Sequence, residues 1–368
     1  ARAAGMIVQM QGFKTWLKAS ARMVALTVCA LTLVLPPVPQ AATVADLYTA
    51  EVEVPGDELA AIFRAALAQV VVRVTGSRAV ATPDKLSALG DPAALVLQYR
   101  SAGPGTWQVG FDPTALRQRL DAAGLTIWSE ERPATLLWLA VDSGRGEREI
   151  LAGDAESPPA APGGLAPADP DALAATRESL LQVADVRGLP LMLPLVDTAD
   201  LQVLSFADLW GDFSEPVLEA SARYQADAVL IGRTPTLDPA APRVRWTLLF
   251  DGERWDWEGT LADGPEFTAD LYADRLATSA DSARQMRVAV RNLGDLDAYG
   301  QVYTYLQQLS PVERCDVEEV TGDRAIFQLT VRGDPDQLLR IVALRRLLVP
   351  VDEPAGDADL QFAFVAGP

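Results

Sequence analysis

Histidine is absent from the chain. That removes the commonest general base, the commonest metal-binding side chain and the usual partner of a serine or cysteine nucleophile. Cysteine is nearly absent: of 2 cysteines, Cys29 and Cys315, the first lies in a segment expected to be removed. A lone Cys315 excludes an internal disulfide in the remaining chain. It sits in the strand-like run VERCDVEEV and is expected to be a buried, inert thiol. Lysine is scarce, with only Lys14, Lys18 and Lys85, so nearly all the positive charge is arginine. No G-x-G-x-x-G or G-x-x-x-x-G-K-[ST] loop occurs, and no G-x-S-x-G. Gly103-Pro104-Gly105 and Gly144-Arg145-Gly146 lack phosphate-loop spacing and read as turns. Asp142, Asp251 and Asp256 lack the alternate oxygen ligands of a calcium loop. No cofactor and no bound metal are expected.

The first 42 residues differ from the rest. Arg2, Lys14, Lys18 and Arg22 are the only charges before Asp46. They precede MVALTVCALTLVL, Met23 to Leu35, about 13 apolar residues, which is short for a membrane span of about 20. Pro36, Pro37 and Pro39 end this run, and small residues follow at Ala41 and Ala42. This is the pattern of a secretory signal, with cleavage expected between Ala41 and Ala45 and export to the bacterial periplasm. The alternative is an uncut anchor holding the protein to the inner membrane, its only membrane contact. Val28 before Cys29 argues against lipidation there.

Without Arg2, Lys14, Lys18 and Arg22, the net charge of −19 becomes roughly −23. Such a surface repels phosphate backbones, so nucleic acid is not an expected partner.

The fold class expected is α/β (mixed α+β): two or three small α/β sandwich domains with mixed sheets after the signal helix. The signal covers 1–42 and an N-terminal α/β domain covers 43–152. A Pro/Ala/Gly-rich linker or loop covers 153–170, GDAESPPAAPGGLAPADP. A middle α/β domain spans 171–262. A long helix plus an α-β-β-α-β unit spans 263–368.

Within these, Thr106 to Phe111 predicts a strand and Asp112-Pro113 caps a helix ending at Gly124. Asp91-Pro92 is expected to open a helix through Tyr99. Ala134 to Val141, ATLLWLAV, reads as a strand buried on both faces. Val244 to Phe250, the turn Asp251-Gly252 and Arg254 to Gly259 predict a hairpin. Leu276, Ala280, Ala283, Met286, Val290 and Leu293 recur at three or four residues and predict a long helix. Arg345 and Arg346 read as the solvated side of the last helix.

Two clusters are candidate sites. Trp128, Arg132, Pro133 and Trp138 form either a partner groove with an aromatic floor and an arginine hot spot, or an arginine stacked on tryptophan that fixes the approach to a strand. Asp251, Glu253, Trp255, Asp256 and Trp257 are the alternative, carboxylates beside sugar-stacking aromatics. The same pattern arises on a solvated hairpin. No catalytic residue is assigned.

The runs LYTAEVEVPGDE (47–58), ALAQVVVRVTGS (66–77), WQVGFDPTALRQRLDAAGLTIWSEERPATLLWLAV (107–141), RGLPLMLPLVD (187–197), ADLWGDF (207–213) and ADAVLIGR (226–233) resemble a family of proteobacterial exported proteins, domain of unknown function 2066. The resemblance spans about 47–260. It implies export but no activity. Residues 171–260 also resemble, at the level of fold, the amino-terminal domain of TolB. The expected function is a non-enzymatic binding or scaffold module acting on envelope proteins. The alternatives are a carboxylate-dependent hydrolase of cell-wall glycan and an inner-membrane-tethered accessory protein.

Overall fold

A computed structural model of the chain describes residues 46–142, 148–153, 169–237, 243–279, 283–344, 347–351 and 358–365. The signal segment 1–42, most of the Pro/Ala/Gly-rich segment, Gly144-Arg145-Gly146, and Arg345 and Arg346 lie outside the described residues. The chain is α/β, with three sheets among the described residues.

The first sheet is antiparallel, in the order β1 (Thr49–Glu53), β3 (Thr106–Phe111), β2 (Val96–Gly103). Its inner face packs on α1 (Leu59–Thr75). Ile62, Phe63, Ala66, Leu67, Val70 and Val74 meet Ala50, Val52, Val109 and Phe111 in a core of its own. The short α2 (Pro83–Ala88) and α3 (Pro113–Ala122) complete this unit. Asp112 caps α3, its carboxylate accepting from the Thr114 and Ala115 amides at 2.8 and 3.0 Å. The helix expected through Tyr99 is instead one short turn, Pro92–Ala94, followed by β2. The Asp91-Pro92 cap works, but Tyr99 is needed across the sheet, where its ring meets Phe63 with centroids 5.1 Å apart.

The second sheet is mixed. β4 (Thr135–Asp142) lies between β7 (Ala228–Thr234), parallel to it, and β5 (Arg148–Ile150) with the short β6 (Leu191–Met192). β8 (Val244–Phe250) and β9 (Glu253–Gly259) follow antiparallel beyond β7. The sheet therefore runs across the expected boundary at 153–170. That segment joins β5 to α4 (Pro170–Arg187) within one layered unit. Alternation sorts the side chains of β4. Leu137, Leu139 and Val141 face α4 and α8 (Asp263–Leu276). Leu136, Trp138 and Ala140 face Val196 and Leu204, which flank the short α5 (Thr198–Val203), together with α6 (Phe206–Trp210) and α7 (Ser214–Ser221). Burial on both sides is why ATLLWLAV shows no period.

Trp246 on β8 lies in a slot between two glycines. A β-carbon on Gly232 would come 2.6 Å from its Cζ3, and one on Gly264 would come 2.5 Å from its Cζ2. Its indole donates to the Thr260 carbonyl at 2.9 Å.

The third sheet runs β11 (Val312–Thr321), β12 (Arg324–Val331), β10 (Arg284–Arg291), β14 (Leu360–Phe364), β13 (Leu348–Pro350). α9 (Leu296–Gln308) and α10 (Pro335–Leu344) cover one face, where Val302, Leu306, Ile341 and Val342 join Val288, Phe327 and Phe362 in the core. The long helix expected over 276–293 does not form. Leu276 ends α8, and Met286, Val288 and Val290 alternate inward on β10. The unit is thus β-α-β-β-α-β-β, with β12 inserted between β10 and β11.

Candidate functional site

An open cleft of about 790 Å³ is bounded by β1, α1 and α4. Its floor is a stripe of α1, Ala65, Ala68, Gln69 and Val72, at the spacing of one helical face. The opposite stripe of α1 is the one buried under the first sheet. One wall is β1 at Glu51 to Glu53. The other is the last turns of α4, with Gln182, Asp185 and Val186.

β1 is an edge strand, and its pairing with β3 decides which backbone groups meet the cleft. Phe111 donates to the Tyr48 carbonyl, and Val54 donates to the Gly105 carbonyl. Even-numbered residues of β1 therefore hydrogen-bond to β3, and odd-numbered ones turn their N–H and C=O outward. The Thr49 carbonyl, one of the outward groups, is taken by Arg73 Nη1 at 2.7 Å. Those of Glu51 and Glu53 face the cleft.

Behind the cleft three arginines are buried together: Arg73, Arg132 and Arg187. Arg73 ties β1 to α4, bonding Thr49 on one side and the Asp185 carboxylate at 2.8 Å on the other. Arg187, the last residue of α4, donates to the Gly76 carbonyl at 2.6 Å and pairs with Glu266 and Asp270 of α8. Arg132 is fully buried and donates to main-chain carbonyls: Ser129 at 3.0 Å, Gly188 at 2.7 Å and Arg73 at 2.7 Å. Burial, with the positive charge of Arg73 beside it, pushes the Arg132 pKa down to about 9, so the group still carries its charge at neutral pH. Gly188 closes α4 in the left-handed region at φ 63. Any side chain there would strain the backbone and strike the Arg132 guanidinium.

The sequence-predicted clusters are placed as follows. Trp128, Arg132, Pro133 and Trp138 are all buried, so none offers surface to a partner. They do not form one cluster either. Trp128 packs in the core shared with α8, whereas Trp138 faces α7 and donates to Ser221 Oγ at 2.9 Å. Arg132 lies over the Trp128 ring and binds the chain on both sides of the junction, the second of the two readings. In the hairpin, Asp251 and Gly252 both have positive φ and form the turn between β8 and β9. Glu253, Trp255 and Trp257 lie on the α8 face. Glu253 pairs with Arg275 at 2.8 Å, and Trp257 packs on Phe267 with centroids 4.3 Å apart. Asp256 lies on the opposite face, held by Arg254 at 2.8 Å and by the Thr247 hydroxyl at 2.7 Å. Both carboxyls are held below their ordinary pKa by those arginine partners. Two ionised carboxylates on opposite faces of a strand cannot act as acid and base across one glycosidic bond.

Among the described residues no group of three or more Cys, Asp and Glu is arranged to hold a metal ion, and no helix is long and apolar enough to cross a membrane. Sequence reasoning missed the cleft because its walls lie about 130 residues apart in the chain. The only local signal was the alternation of Leu47 to Val54 next to the small residues of α1.

Residues 41–129 match a family model described as Domain of unknown function (DUF8605). The match takes in β1, the floor helix α1 and the rest of the first sheet, and ends at the Trp128-Ser129 junction; α4 lies beyond it. Comparison with curated proteins and with solved structures gives no match. The chain is thus similar, over its first described unit, to a family of unknown function.

Proposed function

We propose that the protein is an exported binding module of the bacterial cell envelope, and that the cleft between β1, α1 and α4 is its working surface. The observation that carries this reading is the cleft itself: a walled groove, with the outward main-chain groups of Glu51 and Glu53, which have no partner among the described residues, on one side. Buried arginines bind the elements of its frame to one another. Export rests on the basic, apolar and small-residue order of residues 1–42; membership of domain of unknown function 2066 is proposed from the sequence runs alone, the matching family model being DUF8605. The likeness of 171–260 to the TolB amino-terminal domain is proposed at the level of fold alone.

The test is site-specific photocrosslinking in cells, with the probe at Gln182 on the cleft wall and a control at Gln285 on the third sheet. The expected result is an envelope protein captured from Gln182 and not from Gln285. Equal capture from both positions, or capture of cytoplasmic proteins only, refutes the reading.

A further inference from the structure

We propose that the cleft takes an extended, basic peptide segment as an additional strand on the free edge of β1. The inference rests on the cleft's being the binding surface and specifies the occupant and its mode of binding.

The backbone argument comes first. Glu51 and Glu53 present two N–H donors and two C=O acceptors into the cleft, at the spacing that an added strand would match. Arg73 occupies the Thr49 carbonyl and closes one end of this edge. Pairing is thereby confined to the stretch from Glu51 to Glu53, which sets the register. The floor supplies depth, because Ala65 and Ala68 leave room for every second side chain of the incoming strand.

Charge decides the chemistry of the peptide. The other side chains of the strand would project beside Glu51 and Glu53. Across the β1–β3 register those two face Gln108 and Thr106, so no cation lies opposite them. Asp185 adds a third carboxylate at the far wall, 68% exposed even while it pairs with Arg73. Among the described lining residues Arg78 carries positive charge and pairs with Glu266, so three lining carboxylates stand against one paired cation. Lysine or arginine at alternate positions, with small apolar residues between them, fits this lining. The edge strand β11 differs: Arg314, Asp316, Glu318 and Glu319 of both signs run along it, an arrangement that discourages pairing.

The experiment uses the full chain and two fluorescein-labelled hexapeptides, Lys-Val-Lys-Val-Lys-Val and Glu-Val-Glu-Val-Glu-Val, followed by fluorescence anisotropy. The lysine peptide is expected to bind about tenfold or more tightly than the glutamate peptide. Glu51→Pro deletes one outward N–H without touching the ladder to β3, and Ala68→Trp fills the floor. Each is expected to weaken the lysine peptide about tenfold or more. Amide hydrogen exchange on the unaltered protein gives an independent readout. The peptide should slow Glu51 and Glu53 and leave Ala50, already paired, unchanged. The proposal is overturned if neither peptide binds at about 1 mM, if the two bind equally, or if the Glu51 and Glu53 amides exchange at the same rate with and without peptide. Capture of an envelope partner from Gln182 alongside any of those results would preserve the binding module and reject strand addition alone.

Discussion

The guanidinium carbon of Arg132 lies 3.9 Å from the centre of the Trp128 ring, and both side chains are fully buried. The stack puts a cation where water cannot reach it, and the carbonyls of Ser129, Gly188 and Arg73 take over its hydration. Three pieces of chain that are distant in sequence converge on one planar group. Replacing Arg132 by Leu would orphan those carbonyls together. The expected cost is about 3–5 kcal/mol in urea denaturation. Arg132→Lys should recover little of it, because an ammonium cannot serve several divergent acceptors in one plane while stacking on the indole.

Gly264→Ala should destabilise the second sheet with no change in charge or hydrogen bonding. Its β-carbon would lie within 2.5–2.7 Å of three atoms of the Trp246 ring. The ring has little room to retreat, because it lies so close to Gly232 that a β-carbon there would come 2.6 Å from its Cζ3. A loss of about 1–3 kcal/mol is expected. Thermal unfolding followed by the near-ultraviolet signal of the tryptophans would measure it. An unchanged midpoint would mean the slot is looser than described.

Cys315 predicts an alkaline weakness. Burial, reinforced by the charge of Asp316, pushes its thiol up to about 11 from an ordinary 9.0. The folded state thus holds the proton more tightly than the unfolded chain does. The stability this contributes is complete below pH 9 and is lost as pH rises from there toward 11. Stability measured between pH 8 and 11 should fall less steeply in Cys315→Ala than in the unaltered protein. In the native state at pH 8 the thiol should resist iodoacetamide and react only on unfolding.

The acid limb should be governed in part by Asp256. Its hydrogen bonds from Arg254 hold the carboxyl below its ordinary 3.8, so the stability it contributes is present above that value and is lost as pH falls below it. Asp256→Asn should flatten the stability profile below about pH 4. A profile unchanged by the substitution would show that the pair with Arg254 carries no net stability.

What could be read from the residues divides along a physical line. Asp112-Pro113, Asp251-Gly252 and the continuous apolar run of β4 are local signals with one conformational meaning each, and the elements follow them closely. Met286, Val290 and Leu293 satisfy a helical spacing, but Met286, Val288 and Val290 satisfy a strand spacing equally. Pairing with β12 and β14 decided for the strand. The boundary at 153–170 failed as a divider of sheets for a different reason. Composition marks where a chain runs over a surface, not which strands it later joins. The candidate site was illegible because a cleft is a relation among distant segments. Conversely, Trp128 and Arg132 were conspicuous in sequence because burying an arginine demands an unusual neighbourhood, and that neighbourhood turned out to be the junction of the frame.

The parallel pairing of β4 with β7 sets an order of events in the life of the chain. The first sheet and α1 have a core built from residues 47–120, so that unit can condense before the rest of the chain arrives. β4 follows soon after, apolar on both faces; β5 can pair with its last three residues, but its long parallel partner β7 begins only at Ala228. Until the intervening 85 residues, Asp142 to Ala228 excluded, have followed, a sticky strand has only the short β5 and β6 to pair with. Such a delay makes association with other chains the main competitor of folding. A nascent chain halted before Ala228 should therefore depend on holding factors, whereas one halted before Ala134 should not.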